Sequence, residues 1–276
     1  MKSKLAERQA LLNKARIFQL LKYTIYILLM VDAYQYFLSD YAASRHLFET
    51  GFSFSEFAKA FAITIDVTAW LVLLLFFELE TAVIPAEKMK GPLLWFLHGV
   101  RLVCYFFVFS SYYGYFSKYW MFVNAVPFAV DDVCALVGGA YTYVVDLDEY
   151  LPITEGVCQK LNQAPLMRLE GTHILADPER LQEARFMALV DVLYATVWLI
   201  VIAILEIDVY LKEHGKLKGW VLLASEVTKA LLYLALLGGA VFWGIKGEFL
   251  DFWDAFLWLA AFALIDLNVF GLADDS

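Results

Sequence analysis

Thr68–Lys118 reads TAWLVLLLFFELETAVIPAEKMKGPLLWFLHGVRLVCYFFVFSSYYGYFSK. It holds two apolar runs broken by Pro85 and the short basic connector AEKMKG, and so reads as a helical hairpin. One helix covers 57–84 and ends at the proline, and the next covers 92–117. Each exceeds the roughly 20 residues needed to cross about 30 Å of hydrocarbon at 1.5 Å per residue.

The same pattern returns 128 residues later. Without a gap, Thr68–Lys118 aligns with Thr196–Lys246, and ten of the 51 pairs are identical, among them Trp70/Trp198, Glu78/Glu206, Lys88/Lys216, Lys90/Lys218, Gly91/Gly219 and Lys118/Lys246. In an apolar chain such identity weighs little by itself. The register of the charges weighs more, because Glu80 meets Asp208 and Arg101 meets Lys229 under the same shift. A duplicated two-helix hairpin is therefore expected.

Working outward, residues 1–16, MKSKLAERQALLNKAR, form a basic helix that runs into an apolar span over 17–38 with no small-residue cleavage site. A polar turn region covers 39–56. The first membrane half is thus 17–118, with spans 17–38, 57–84 and 92–117, and the second is 184–276, with spans 184–211, 219–245 and 249–270. Between them, 119–183 is irregular. It carries Pro127, the adjacent acids Asp131 and Asp132, and Gly138-Gly139, and then turns polar. Two adjacent carboxylates cost several kcal/mol at mid-bilayer, so this segment is expected to be re-entrant or extramembrane.

Basic residues set the orientation. Lys2, Lys4, Arg8, Lys14 and Arg16 place the N-terminus in the cytoplasm, and Lys88, Lys90, Lys212, Lys216 and Lys218 place both hairpin loops there too. That requires an even number of crossings between the loops. The expected fold is an all-α polytopic transmembrane bundle of six spans, in a plasma or bacterial inner membrane. If Val123–Val145 crosses, there are seven spans and the hairpins are inverted.

Composition agrees. The 276 residues are 62% hydrophobic and 18% charged, with mean hydropathy +0.64, and the aromatic share of 17% suits many helix ends at bilayer interfaces. A net charge of −9 excludes nucleic acid as a natural partner. Cys104, Cys134 and Cys158 lack metal or redox spacing; Cys104 reads as a packed thiol, and whether Cys134 and Cys158 pair is left open. Of the four histidines only His98 lies in a span, which speaks against haem held by two histidines. No P-loop, G-x-S-x-G or H-E-x-x-H occurs, so no cofactor is expected, and nothing points positively to an enzyme.

The candidate site residues are the membrane-embedded charges, which are costly there and need partners. Glu78 and His98 lie at one depth near the cytoplasmic edge, with Arg101 one turn deeper; Glu206, Glu226 and Lys229 repeat that arrangement. In the structural reading, Glu78 pairs with Arg101 and Glu206 with Lys229, fixing the hairpins. In the functional reading, Glu78, Glu80, His98, Glu206, Asp208 and Glu226 form a cation or proton site, since oxygen-rich clusters suit hard cations; the metal, if any, is not specified. Asp32, Asp66, Asp191, Asp254 and Asp266 are further acids within spans, where an acid marks an ion path by default; of these, Asp66 and Asp254 are expected to form an acidic outer vestibule with Asp131 and Asp132, and Asp32 and Asp266 to be solvated helix ends. Trp70 and Trp198 read as packing residues, and Gly238-Gly239 and Ser110-Ser111 as places where helices approach closely. The function expected is transport or conduction of a proton or inorganic cation. The alternative is a non-catalytic scaffold subunit of a larger membrane complex. Expected partners are membrane lipid and either a second copy or other membrane subunits.

Overall fold

Pro92 follows Gly91, whose φ of 61° only glycine adopts without strain, and the pair starts a helix of 32 residues. The computed structural model describes residues 2–47, 54–85, 88 and 90–270. Eight α-helices and five strands follow in order: α1 (Lys2–Leu47), α2 (Phe54–Ala60), α3 (Ala62–Glu78), α4 (Pro92–Val123), β1 (Val126–Phe128), β2 (Thr142–Val144), β3 (Tyr150–Pro152), α5 (Glu155–Leu161), β4 (Leu166–Arg168), β5 (Ile174–Ala176), α6 (Pro178–Glu213), α7 (Trp220–Lys246) and α8 (Phe249–Phe270). The expected N-terminal helix and first span are one continuous element, α1. Of the polar turn region, 39–47 is the end of α1, and 48–53 lies outside the described residues.

The chain is mostly helical, and among the described residues four stretches are long and apolar enough to cross a membrane: Arg16–Arg45, Pro92–Val123, Pro178–Asp208 and Trp220–Lys246. Their outer faces are apolar. Trp95, Leu102, Phe109, Leu231, Leu234 and Ile245 are all more than half exposed, which water would penalise and lipid would not. The stretch expected to span at 57–84 is interrupted. Phe61 separates α2 from α3, and α3 runs into a π-helical turn at Leu79–Val83.

The all-helical expectation fails between 124 and 177. Here the chain builds a five-stranded sheet in the order β1-β4-β5-β2-β3, antiparallel except for β2 beside β5. Val133, Ile153, Cys158, Leu161, Leu166 and Leu175 form its core. Residues 123–145 hold β1, a 3-10 turn at Val133–Leu136 and β2 rather than a helix. Pro127, which has no N–H, and Gly138, at φ 75°, suit that path and not a helical one. Cys134 and Cys158 form a disulfide with Cα atoms 4.9 Å apart, which answers the question of pairing. Cys104 is a buried free thiol.

Two compact units divide the chain. In the unit of residues 33–196, α4 packs on α2 and α3, closely enough at Gly114 that a side chain there would strike the Ala58 carbonyl and meet the Ala62 Cβ at 2.8 Å. Asp177 caps α6 by accepting from the N–H groups of Glu179 (2.9 Å) and Arg180 (3.0 Å), with Pro178 at the first helical position. In the unit of residues 1–32 and 197–276, α7 and α8 form a hairpin. Gly247 turns it at φ 89°, and both its N–H and that of Glu248 bond the Trp243 carbonyl.

Candidate functional site

The hairpin loops bring an acid and a cation together twice. Arg101 Nη2 donates to Glu80 Oε2 at 2.7 Å, and Lys229 Nζ donates to Asp208 Oδ2 at 2.6 Å, with Ser225 Oγ donating to the same oxygen at 2.6 Å. The cations are those expected, but each pairs with the acid two residues beyond the one expected. Glu78 and Glu80 differ by only about 3 Å along the axis but by about 200° around it, so phase rather than depth selects the partner. The π-helical turn is not the cause, since α6 makes the equivalent pair from a regular helix. Glu78 lies on the stripe of Leu71 and Leu74 and is buried, whereas Glu206 is exposed.

The loops also match in their backbones. Gly91 (φ 61°, ψ −134°) and Gly219 (φ 59°, ψ −129°) open α4 and α7 in one conformation. Lys90 N–H bonds the Lys88 carbonyl at 2.8 Å, and Lys218 N–H bonds that of Lys216 at 2.9 Å. All of these positions are 128 residues apart.

The exposed His98 hydrogen-bonds through Nδ1 to the Leu94 carbonyl of its own helix at 2.7 Å. Glu226 is exposed. Among the described residues, no group of three or more His, Cys, Asp or Glu side chains is placed to hold a metal ion.

Asp66 accepts from Trp70 Nε1 (3.1 Å), Ser111 Oγ (3.0 Å) and Tyr115 OH (3.3 Å). Thus Trp70 satisfies an acid one turn before it on α3. Trp198 lies against Phe262, centroids 5.1 Å apart. Asp131 and Asp132 are exposed in the sheet domain. Asp132 accepts from the Cys134 N–H (2.9 Å) and Asn162 Nδ2 (2.8 Å), while Asn162 Oδ1 accepts from the Val133 N–H (2.7 Å). These donors hold the Asp132 carboxyl below the usual carboxylate range, the Asn162 amide most of all. Asp254 lies beside Asp32, which is 1% exposed and so is no solvated helix end. The side chain of Asp266 lies outside the described residues.

Two further enclosed charges, Lys118 and Asp40, are ones the sequence did not single out. At the end of α4 where the chain enters the sheet domain, Lys118, 5% exposed, pairs with Asp148 of the β2–β3 turn. Asp40 of α1, 3% exposed, accepts from the N–H (2.9 Å) and Oγ1 (2.6 Å) of Thr64 and lies in the field of both. Asp191 of α6 and the phenol of Tyr150 also face Lys118. Burial pushes the Tyr150 phenol up, against the pull of the Lys118 ammonium; Asp148 and Asp146 push it the same way as burial. One buried cation thus stands among three acids contributed by α1, α6 and the sheet domain. Beside it Arg185 of α6 covers the end of α4, donating to the carbonyls of Phe122 (2.7 Å) and Val123 (3.0 Å).

Compared with protein-family profiles, curated proteins and solved structures, the chain finds no match. The functional reading therefore rests on the charges themselves. What they can do chemically follows from enclosure: a carboxylate kept from water holds or releases a proton only as its neighbours allow, and Asp40 and Asp148 share one neighbouring cation, Lys118.

Proposed function

We propose that the chain is a six-span integral membrane protein of the transport class, moving a proton or an inorganic cation, with the N-terminus and both hairpin loops in the cytoplasm. The sheet domain then lies on the opposite, oxidising side. The disulfide supports that side, because such bonds persist in oxidising compartments. The lysines of the two hairpin loops support the other side. In this topology α2–α3 with its π-helical turn is the second span and α8 the sixth. The matched ion pairs and matched glycines support descent of α3–α4 and α6–α7 from one hairpin, in parallel orientation.

The observation that carries the transport reading is the cluster of Asp40, Asp148 and Asp191 around the buried Lys118. Three acids around one cation leave an excess of negative charge at the outer end of the helices, where an entering cation or proton is attracted. Glu78, buried near the other end of α3, is the inner carboxylate in this reading. The direct test is flux in proteoliposomes with Asp40→Asn and with the double variant Glu78→Gln, Glu206→Gln. Loss of flux in both is expected. Flux unchanged in both would remove these carboxylates from the mechanism.

A second reading, a non-catalytic subunit of a larger membrane complex, is favoured by the ion pairs themselves. Glu80, Arg101, Asp208 and Lys229 are engaged in holding helices together, and the sheet domain offers a partner a folded surface. Purification in mild detergent separates the two readings. A monodisperse species with no co-purifying chain counts against the subunit.

A further inference from the structure

We propose that Asp66 of α3 is an intramembrane proton-binding site, with the Ser111 hydroxyl of α4 able to satisfy both its ionised and its protonated form. The site is separate from the cluster around Lys118 and does not depend on the transport reading. Asp66 Oδ1 lies 3.1 Å from Trp70 Nε1 and 3.0 Å from Ser111 Oγ, and its Oδ2 lies 3.3 Å from the Tyr115 hydroxyl. Ser111 and Tyr115 are both buried. Among the described residues no charged side chain pairs with Asp66, and the titratable group that faces it is the Tyr115 phenol of α4. Asp40 of α1 bonds Thr64, two residues earlier on α3 and so about 200° round the helix from Asp66. From α6, Val192 and Ala195, which do not titrate, pack with Ala62 and Tyr115.

The Ser111 hydroxyl has one hydrogen and two acceptors within reach, Asp66 Oδ1 and the Val108 carbonyl of its own helix at 2.8 Å. When Asp66 is ionised, that hydrogen goes to the carboxylate, which also accepts from Trp70 and Tyr115. When Asp66 carries a proton, its O–H donates to Ser111 Oγ, and the serine hydrogen turns to the Val108 carbonyl. The proton comes from water and returns to it, and only a hydroxyl rotates. An ionised acid without a cation beside it is costly in a span, so these neutral donors are what make release of the proton possible. They also select the ligand. The indole N–H of Trp70 can only donate, and it points at the oxygen that a metal cation would need, whereas a proton needs a single acceptor, which Ser111 Oγ supplies.

The test uses the full chain in native membranes and dicyclohexylcarbodiimide, a lipid-soluble reagent that reacts with protonated carboxyl groups. Modified residues are mapped by mass spectrometry across a pH series. Expected are modification of Asp66 at acid pH and its loss as the pH rises. In Ser111→Ala and in Tyr115→Phe the ionised form loses a donor, so the midpoint of that loss should move up by about one pH unit. Ser110→Ala, at a residue that makes no bond to Asp66, should leave the midpoint in place. Absence of modification at every pH in the unaltered protein would overturn the proposal without reference to any variant. So would modification undiminished at high pH, since Asp66 would then never release its proton, and so would a midpoint unmoved in both Ser111→Ala and Tyr115→Phe. Modification as expected in a protein without ion flux would sink the transport reading and leave this site standing.

Discussion

Lys229 Nζ stands 2.6 Å from Asp208 Oδ2 between α7 and α6, and the side chains are only 25% and 11% exposed. Truncating one partner of such a pair strands the other charge in an apolar setting. Lys229→Met is expected to destabilise the hairpin by about 1–3 kcal/mol, between the values for exposed and buried pairs. The double variant Lys229→Met, Asp208→Leu should recover most of the loss. Thermal unfolding in detergent measures both, and a double variant worse than the single one would mean that the pair does not act as a unit.

Gly114 is where α4 comes closest to its neighbours. Gly114→Leu has to displace the Ala58 backbone and the Ala62 methyl, so a loss of about 3 kcal/mol or more is expected, at the upper end of overpacking penalties. Gly238→Ala is the control, because a methyl there meets nothing within 4 Å. Equal midpoints of unfolding for the two variants would contradict the packing described.

Reduction of Cys134–Cys158, which are 24 residues apart in the chain, is expected to cost the sheet domain about 2–4 kcal/mol. Limited proteolysis with and without reductant reads this out: cleavage should appear between 124 and 177 and spare the helices.

Asp132 makes the sheet domain sensitive to acid. Its carboxyl titrates below the ordinary value when folded, so its contribution is present above the unfolded value near 4 and is lost as the pH falls through the folded one. Asp132→Asn should therefore lower stability at pH 7 and flatten its pH dependence below about pH 4. A variant with the unaltered acid profile would show that the clasp with Asn162 carries no weight.

Much of this was legible in the chain. Apolar runs marked the long helices, and the 128-residue shift aligned Glu80 with Asp208 and Arg101 with Lys229, which are the residues that pair. The choice of Glu78 over Glu80 went wrong because depth was weighed and helical phase was not. The sheet was hidden because its strands are three residues long, too short for alternation to register. Lys118 was read only as one member of the pair Lys118/Lys246 and Asp40 only as part of the polar turn region, although a lysine closing an apolar run just before an irregular segment rich in acids is a usable signal. Asp32 was assigned to an interface because α1 was expected to leave the membrane at 38, whereas it continues to Leu47.

The central claim is that the sheet domain and the hairpin loops lie on opposite sides of one membrane. Single-cysteine variants at exposed positions, Glu170→Cys in the sheet domain and Lys216→Cys in the α6–α7 loop, test it with an impermeant thiol reagent on intact cells. The account predicts labelling of Glu170→Cys at once and of Lys216→Cys only after permeabilisation. Labelling of both from the same side would contradict it.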